Sequence, residues 1–296
     1  MNDMNNSPTI LAGIDFSDSS AIVLRHAIHA AEPLGAKVVA VHVLDKGLRE
    51  HREASGLGNP GFEVIKEQAE ERFAALLAGK ECSVPVQFLV KIGKPAEELR
   101  RIAADLDVSF LVISANDLTK KRLGSIAARC LRMVPCDVLV LRDWQGGDFG
   151  KIVVCTDFSK TADRAIERAA SLAQHCGAHL EIVNVMYPPG RDSWGKVLEH
   201  AADSPTTYED DCKAEVRGMM DRCLGRNKAA LEGVRHEAVV LESQLPAVEI
   251  TGHVRSIAAD LVVMGTHGHS PIASHFIGTN AERLIQDAPV SVFAVR

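Results

Sequence analysis

The chain repeats itself. Lys151-Ile152-Val153-Val154-Cys155-Thr156-Asp157-Phe158-Ser159 restates Thr9-Ile10-Leu11-Ala12-Gly13-Ile14-Asp15-Phe16-Ser17 at an offset of 142 (157 − 15). The offset holds without a gap through Gly35/Gly177, Val41/Val183 and Val43/Val185. It is 151 (246 − 95) at Pro95/Pro246, and 154 (278 − 124) from Gly124/Gly278 to Arg142/Arg296. The nine extra residues (151 − 142) fall around Tyr187 to Thr207, a Pro- and Gly-containing stretch that reads as an insertion or long loop. A chain of 296 residues has room for two domains of about 150. The duplication places them at 1–143 and 151–296, with residues 143–150 as the linker.

Each copy alternates short apolar runs with helical periodicity. In the first, strands are expected at 9–15, 37–43, 84–90, 110–114 and 137–141. Helices are expected at 21–34, 62–78, 95–106 and 124–133, and a polar loop at 46–60. The order is βαβαβαβαβ. Aromatic residues are only 4% of the chain while apolar residues are 46%, so Val, Ala, Leu and Ile must fill the interior. That composition suits strands covered on both faces. The fold class is therefore α/β: two tandem domains, each a five-stranded parallel, doubly wound sheet with flanking helices. Such sheets take ligands at the carboxyl ends of their strands, beside a switch point. Asp157, Val185 and Gly265 all fall at expected carboxyl ends.

The remaining composition excludes several classes. A formal charge of −6 gives no electrostatic footprint for nucleic acid or an anionic membrane. No apolar run approaches the roughly 20 residues that span a bilayer. Met1 to Pro8 has neither a basic nor an apolar segment of the signal-peptide kind. The seven cysteines are odd in number and without C-x-x-C spacing, so neither a disulfide framework nor a zinc ribbon is indicated. A reduced, cytoplasmic protein is the coherent expectation, with Cys130, Cys136 and Cys155 packed inward.

The segment richest in chemistry is Val262-Val263-Met264-Gly265-Thr266-His267-Gly268, followed by a loop to Gly278-Thr279-Asn280-Ala281-Glu282-Arg283. It reads strand, loop, helix, with glycine wherever backbone would meet a ligand. A helix opened by Gly-Thr offers amides and a positive dipole end to an anion. A phosphate cradle and an ordinary glycine-bearing β–α turn both fit this segment alone.

The pattern G-x-x-G, nine residues, G-[ST] after a fourth strand resembles that of the universal stress protein family. So do the first strand ending Asp157-Phe158-Ser159 and the run Ala258 to Gly268. The resemblance covers both copies, from about Thr9 to Arg296, and is of the tandem, two-domain kind. It implies a Rossmann-like sheet and, in the glycine-motif members, bound ATP or AMP. On that resemblance Asp157 and Val185 face adenine or ribose, with Phe158 and Ser159 beside them. Met264, Gly265, Thr266, His267, Gly268, His269, Gly278, Thr279 and Asn280 complete the cofactor-binding set around the phosphates. His269 stands where the family usually has a base, and Gly-Thr-Asn where it usually has Gly-Ser-Val. The implied ligand is ATP, ADP or AMP, with Mg²⁺ as an ion arriving with the nucleotide.

The first copy departs further. Ser114-Ala115-Asn116-Asp117 replaces Gly-Thr-His-Gly, and the interval to Gly124 is three residues shorter (10 against 13). Its nucleotide loop is expected to be degenerate; Lys120-Lys121-Arg122 reads as a solvated loop ahead of an anion site. His267-Gly268-His269 is similar to H-x-G-H signatures of nucleotidyl transferases, but it follows the wrong strand. His267, His269 and His275 are spaced for a loop metal without a fourth ligand. No nucleophile–base–orienter set is visible, so no catalytic residue is assigned. The last strands, Asp137 to Arg142 and Ser291 to Arg296, are expected to pair the two domains as a pseudo-dimer. A further homodimer stays open. The expectation is a stress-response or regulatory protein that binds an adenine nucleotide mainly in its C-terminal domain, hydrolysing it slowly at most. A nucleotide-free interaction scaffold with a vestigial cradle is the alternative.

Overall fold

A computed structural model describes residues 7–45, 61–79, 82–115, 123–142, 148–187, 205–268 and 278–296. The chain divides into two compact units, Met1–Gly146 and Gly147–Arg296. The loop 46–60, the basic run 120–122, His269, His275 and most of the 188–207 segment lie outside the described residues.

The first unit contains β1 (Thr9–Ile14), α1 (Ser20–Ala31), β2 (Lys37–Asp45), α2 (Phe62–Leu77), β3 (Val86–Gly93), α3 (Pro95–Asp105), β4 (Phe110–Ser114), α4 (Ser125–Met133) and β5 (Asp137–Leu141). Its strands run in the order β3-β2-β1-β4-β5, and every described pairing in it is parallel. The second unit contains β6 (Lys151–Cys155), α5 (Lys160–Cys176), β7 (His179–Met186), α6 (Pro205–Arg226), α7 (Lys228–Leu231), β8 (His236–Glu242), α8 (Pro246–Ser256), β9 (Leu261–Gly265), α9 (Thr279–Asp287) and β10 (Ser291–Val295). Its order, β8-β7-β6-β9-β10, repeats that of the first, again with parallel described pairings.

Both sheets are thus the expected five-stranded parallel kind, because buried β-branched runs such as Ile152-Val153-Val154 are tolerable only under helices on both faces. In the second unit α5 lies against β6, β7, β9 and β10, while α8 packs on α9 and on β7. Ile152, Ile166, Leu180, Ile182 and Leu261 are fully buried between these layers. The order places the switch point between β6 and β9, where the chain leaves in opposite directions and a crevice must open.

Several boundaries differ from expectation. Helix α1 stops at Ala31, three residues short of Leu34, because Pro33 has no amide to donate and its ring obstructs the preceding turn. The copy in the second unit lacks that proline: α5 runs to Cys176 and closes on Gly177 at φ 65°. Strand β3 starts at Val86, not 84, since Pro85 has no amide; it continues to Gly93 because β2 pairs with it as far as Asp45. Prolines Pro95 and Pro246 open α3 and α8, where a missing amide costs nothing. No helix among the described residues is long and apolar enough to cross a membrane. All seven cysteines are thiols.

Candidate functional site in the second unit

The site begins in the turn that follows β6. Phe158 sits at φ 66°, a left-handed backbone that two side chains stabilise. Thr156 Oγ1 accepts from the Phe158 amide at 3.0 Å, and Asp157 Oδ1 accepts from the Ser159 amide at 3.0 Å. Ser159 caps α5 by accepting from the Ala162 amide at 3.2 Å. Asn184, buried on β7, donates to the Thr156 carbonyl at 2.8 Å and ties the turn to the neighbouring strand. The consequence is a fixed direction for Asp157. Its second oxygen points at Gly268: a Cβ built there would lie 2.4 Å from Asp157 Oδ2. No other residue type fits that position without displacing the carboxylate.

From the other side of the switch point, β9 delivers Gly265. A Cβ there would meet Thr161 Cγ2 at 3.0 Å and the His267 carbonyl at 3.4 Å. Thr266 is buried, its amide on the Val295 carbonyl at 2.8 Å and its hydroxyl on the same carbonyl at 3.1 Å. That hydroxyl has one proton, so across its 2.9 Å contact with His267 it accepts and His267 Nδ1 donates. The Gly278 amide donates to the Thr266 carbonyl at 3.0 Å, which holds the start of α9 against the end of β9. Gly278, the N-cap, supplies no side-chain cap. The amides of Thr279, Asn280 and Ala281, which the helix itself cannot satisfy, therefore face the crevice with the positive dipole end.

These parts enclose a cavity of about 450 Å³. Of the residues named from sequence, Asp157, Val185, Met264, Gly265, Thr266, His267, Gly268, Gly278, Thr279 and Asn280 line it together. Phe158 and Ser159 do not: they shape the turn instead of forming the wall. Cys155, expected inside the core, is half-buried at the end of β6 and also lines the cavity. Burial pushes its thiol up to about 12, so it stays protonated and unreactive at neutral pH. Thr156, Asn184, Tyr187, Pro246 and Ile250 line the crevice too and went unread. Pro246 had a signal, its match to Pro95; the others sit on faces that spacing alone does not aim.

The first unit shows the contrast. Its equivalent cavity is about 170 Å³, lined by Asp15, Ser19, Ser20, Val41, Val43, Gly124 and Ser125 among others. Asp15 Oδ1 accepts from the Ser17 amide at 2.9 Å and from the Ser17 and Ser20 hydroxyls at 2.5 and 3.1 Å. Burial opposes ionisation of Asp15, but these bonds outweigh it and hold the carboxyl below its usual range. The same helix start is present, with the Gly124 amide on the Ala115 carbonyl at 2.8 Å. Room, not the helix terminus, is what differs: binding sites for small ligands usually occupy about 300–1,000 Å³.

Two Rossmann-like α/β units in tandem, one with a roomy crevice at its switch point, define the class of protein. The chain belongs to the universal stress protein family, whose sequence model matches it twice, at residues 7–142 and 148–296. It is 32% identical over 149 residues to a universal stress protein of Thermus aquaticus, a match covering 50% of this chain and 99% of that one. Among solved structures it is similar to a universal stress protein from Archaeoglobus fulgidus DSM 4304, with TM-score 0.64, 21% identity, and 98% and 96% of the two chains covered. A functionally unknown protein from Pseudomonas aeruginosa PAO1 matches with TM-score 0.68 at 16% identity, covering 99% of this chain and 93% of that one. At such identities the likeness establishes the fold.

Proposed function

We propose that the second unit binds an adenine nucleotide (ATP, ADP or AMP) in the crevice between β6 and β9. The observation that carries this is the approach of Gly268 to Asp157 at one edge of a 450 Å³ cavity whose other edge is the uncapped start of α9. The apolar wall of Val183, Val185, Ile250 and Met264 suits a purine. The amides of Thr279 and Asn280 suit phosphate oxygens. Mg²⁺ would arrive on the phosphates and keep most of its waters, so few protein ligands are needed. The one hydroxyl–imidazole contact described in the lining, Thr266 with His267 at 2.9 Å, has the hydroxyl's proton on the Val295 carbonyl and not on the ring, and the role proposed is binding with slow hydrolysis at most. The protein would act in the cytoplasm as a nucleotide-responsive stress or regulatory factor. Its outermost strands β5 and β10 are the proposed pairing edges of an internal pseudo-dimer, since a bare edge strand invites association.

The test is to denature freshly purified protein and identify released nucleotide by mass spectrometry, with Gly268→Asp alongside. ATP, ADP or AMP in the native protein, and none in a variant with unchanged circular dichroism, supports the reading. Native protein that is empty and takes up no millimolar ATP by calorimetry overturns it in favour of an interaction scaffold with a vestigial cradle.

A further inference from the structure

Successive side chains of a strand alternate between faces, so His179 and Glu181 share one face of β7. Glu237 of β8 lies opposite Glu181 in register and shares that face. Helix α8 packs on β7 and brings His253 to the same point. His253 Nε2 donates to Glu181 Oε2 at 2.7 Å, and His179 Nε2 donates to Glu237 Oε1 at 2.9 Å. One ligand atom from each of His179, Glu181 and Glu237 lies within 4.8 Å of the others. One imidazole and two carboxylates thus converge from two neighbouring strands, with His253 of α8 hydrogen-bonded to Glu181 beside them.

We propose that His179, Glu181 and Glu237 form a binding site for a divalent transition-metal cation of the Zn²⁺ kind, with His253 steadying Glu181 from α8. Glu181 carries the argument furthest. It is 4% exposed, and a carboxylate taken out of water has to be paired or to coordinate a metal. The neighbouring ammonium of Lys151 is turned to the Ile257 carbonyl at 3.0 Å. His179 Nδ1 is buried with no hydrogen-bond partner among the described residues, so the ring is held through one nitrogen only. Tetrahedral Zn²⁺ with ligands at about 2.1 Å sets them roughly 3.4 Å apart, which asks for side-chain shifts on the order of 1 Å. Imidazole nitrogen favours Zn²⁺, Co²⁺ or Ni²⁺ over Mg²⁺ or Ca²⁺, and the two carboxylates balance the charge. The site is separate from the nucleotide crevice: Glu181 precedes Val185 by four residues, about 13 Å of strand. Neither proposal depends on the other.

The full chain, stripped with a chelator, is titrated with ZnCl₂ by calorimetry and with CoCl₂ by visible absorption. One equivalent is expected, with the intense ligand-field bands of tetrahedral cobalt and no thiolate charge-transfer band. Glu237→Gln, at a half-exposed position that puts folding at little risk, weakens binding at least ~10-fold. The double variant His179→Gln/His253→Gln loses the equivalent while keeping its circular dichroism and its nucleotide content. No stoichiometric binding, binding unchanged in Glu237→Gln, or an equivalent that shows thiolate absorption would each overturn the proposal, leaving two ordinary ion pairs.

Discussion

Gly268 and Gly278 belong to one motif, yet the structure needs glycine at them to different degrees. A Cβ on Gly268 would overlap Asp157 Oδ2 at 2.4 Å, while one on Gly278 would meet only the Thr266 carbonyl at 3.9 Å, ordinary contact. Gly268→Ala should therefore push Asp157 aside and weaken ATP binding at least ~10-fold, the equivalent of about 1.4 kcal/mol. Gly278→Ala should stay within roughly 3-fold, under about 0.7 kcal/mol, because nothing must move. Calorimetry on both, at matched helical content, separates them; equal losses would mean that Asp157 is not what makes Gly268 necessary. Both glycines were readable in the sequence, but the reason for Gly268 was not, since its partner is 111 positions away (268 − 157). At Gly265 a Cβ would meet Thr161 Cγ2 at 3.0 Å, so a side chain there would require Thr161 to give way; the first copy has Ser114 and the smaller Ser19 at the matching positions. Thiol chemistry is also decided residue by residue. Burial pushes Cys130 and Cys155 up to about 12, whereas Cys82 is exposed. Maleimide at pH 7.5 should label Cys82 within minutes and leave Cys155 unmodified, as read by peptide mass mapping; early label on Cys155 would show the crevice to be wetter than its thiol implies.

The insertion in the second copy ends in α6, and α6 is fastened to α5 by a small polar cluster. Arg226 donates through two nitrogens to Asp163, Nε at 2.9 Å and an Nη at 3.0 Å. Asn227, buried, donates to Asp163 Oδ1 at 3.0 Å and to the Cys223 carbonyl at 2.9 Å. Removing the shared acceptor leaves a buried amide short of a partner, so Asp163→Ala should cost about 1–3 kcal/mol in urea unfolding. Arg226→Ala removes only the half-exposed arm and should cost about 1 kcal/mol or less. If the two cost the same, the buried amide is not the decisive part. No spacing rule points to this cluster, because Asp163 on its own reads as a favourable acid in the first turn of α5. Elements themselves were far more legible. Strands β4 and β5 fall at 110–114 and 137–141, the expected positions, since each is a short apolar run closed on both sides by polar residues. The end of α1 and the start of β3 differ from expectation because a proline removes an amide that periodicity assumes to be present, while β2 and β3 run on to Asp45 and Gly93 because they pair with each other that far.

Acid should weaken the protein in two stages. Burial holds the His42 imidazole below its ordinary value, against the pull of the Ile14 carbonyl. The unfolded chain takes up that proton near 6.5 and the folded chain only at lower pH, so stability present at neutral pH is lost as pH falls through His42's folded value. Asp15 and Asp163 are also depressed, hydrogen bonds having overcome the opposing effect of burial. Their contribution exists above roughly 3.9 and disappears as pH falls through their still lower folded values. The melting temperature should thus decline from pH 7.5 to 5.5, fall again below pH 4, and lose its upper step in His42→Gln; a rise between pH 7.5 and 5.5 would contradict this. Duplication raises a sharper question, that of how many ligands one chain holds. Both copies keep the aspartate, the Gly-[ST] helix start and the sheet order, so a count of motifs alone would give two sites. The structure argues for one. In the first unit Asp15 is occupied by Ser17 and Ser20, and the cavity is about 170 Å³, smaller than ordinary ligand sites of about 300 Å³ and more. In the second, Asp157 is aimed by its own turn at Gly268, at one edge of a cavity of about 450 Å³. Titration of the intact chain with ATP should saturate at one equivalent. Asp157→Asn should weaken it ~10-fold or more, equivalent to about 1.4 kcal/mol, and Asp15→Asn should leave affinity and stoichiometry unchanged. Saturation at two equivalents, with one removed by Asp15→Asn, would show that the first copy still binds and that the shorter loop after β4 has remodelled its site without closing it.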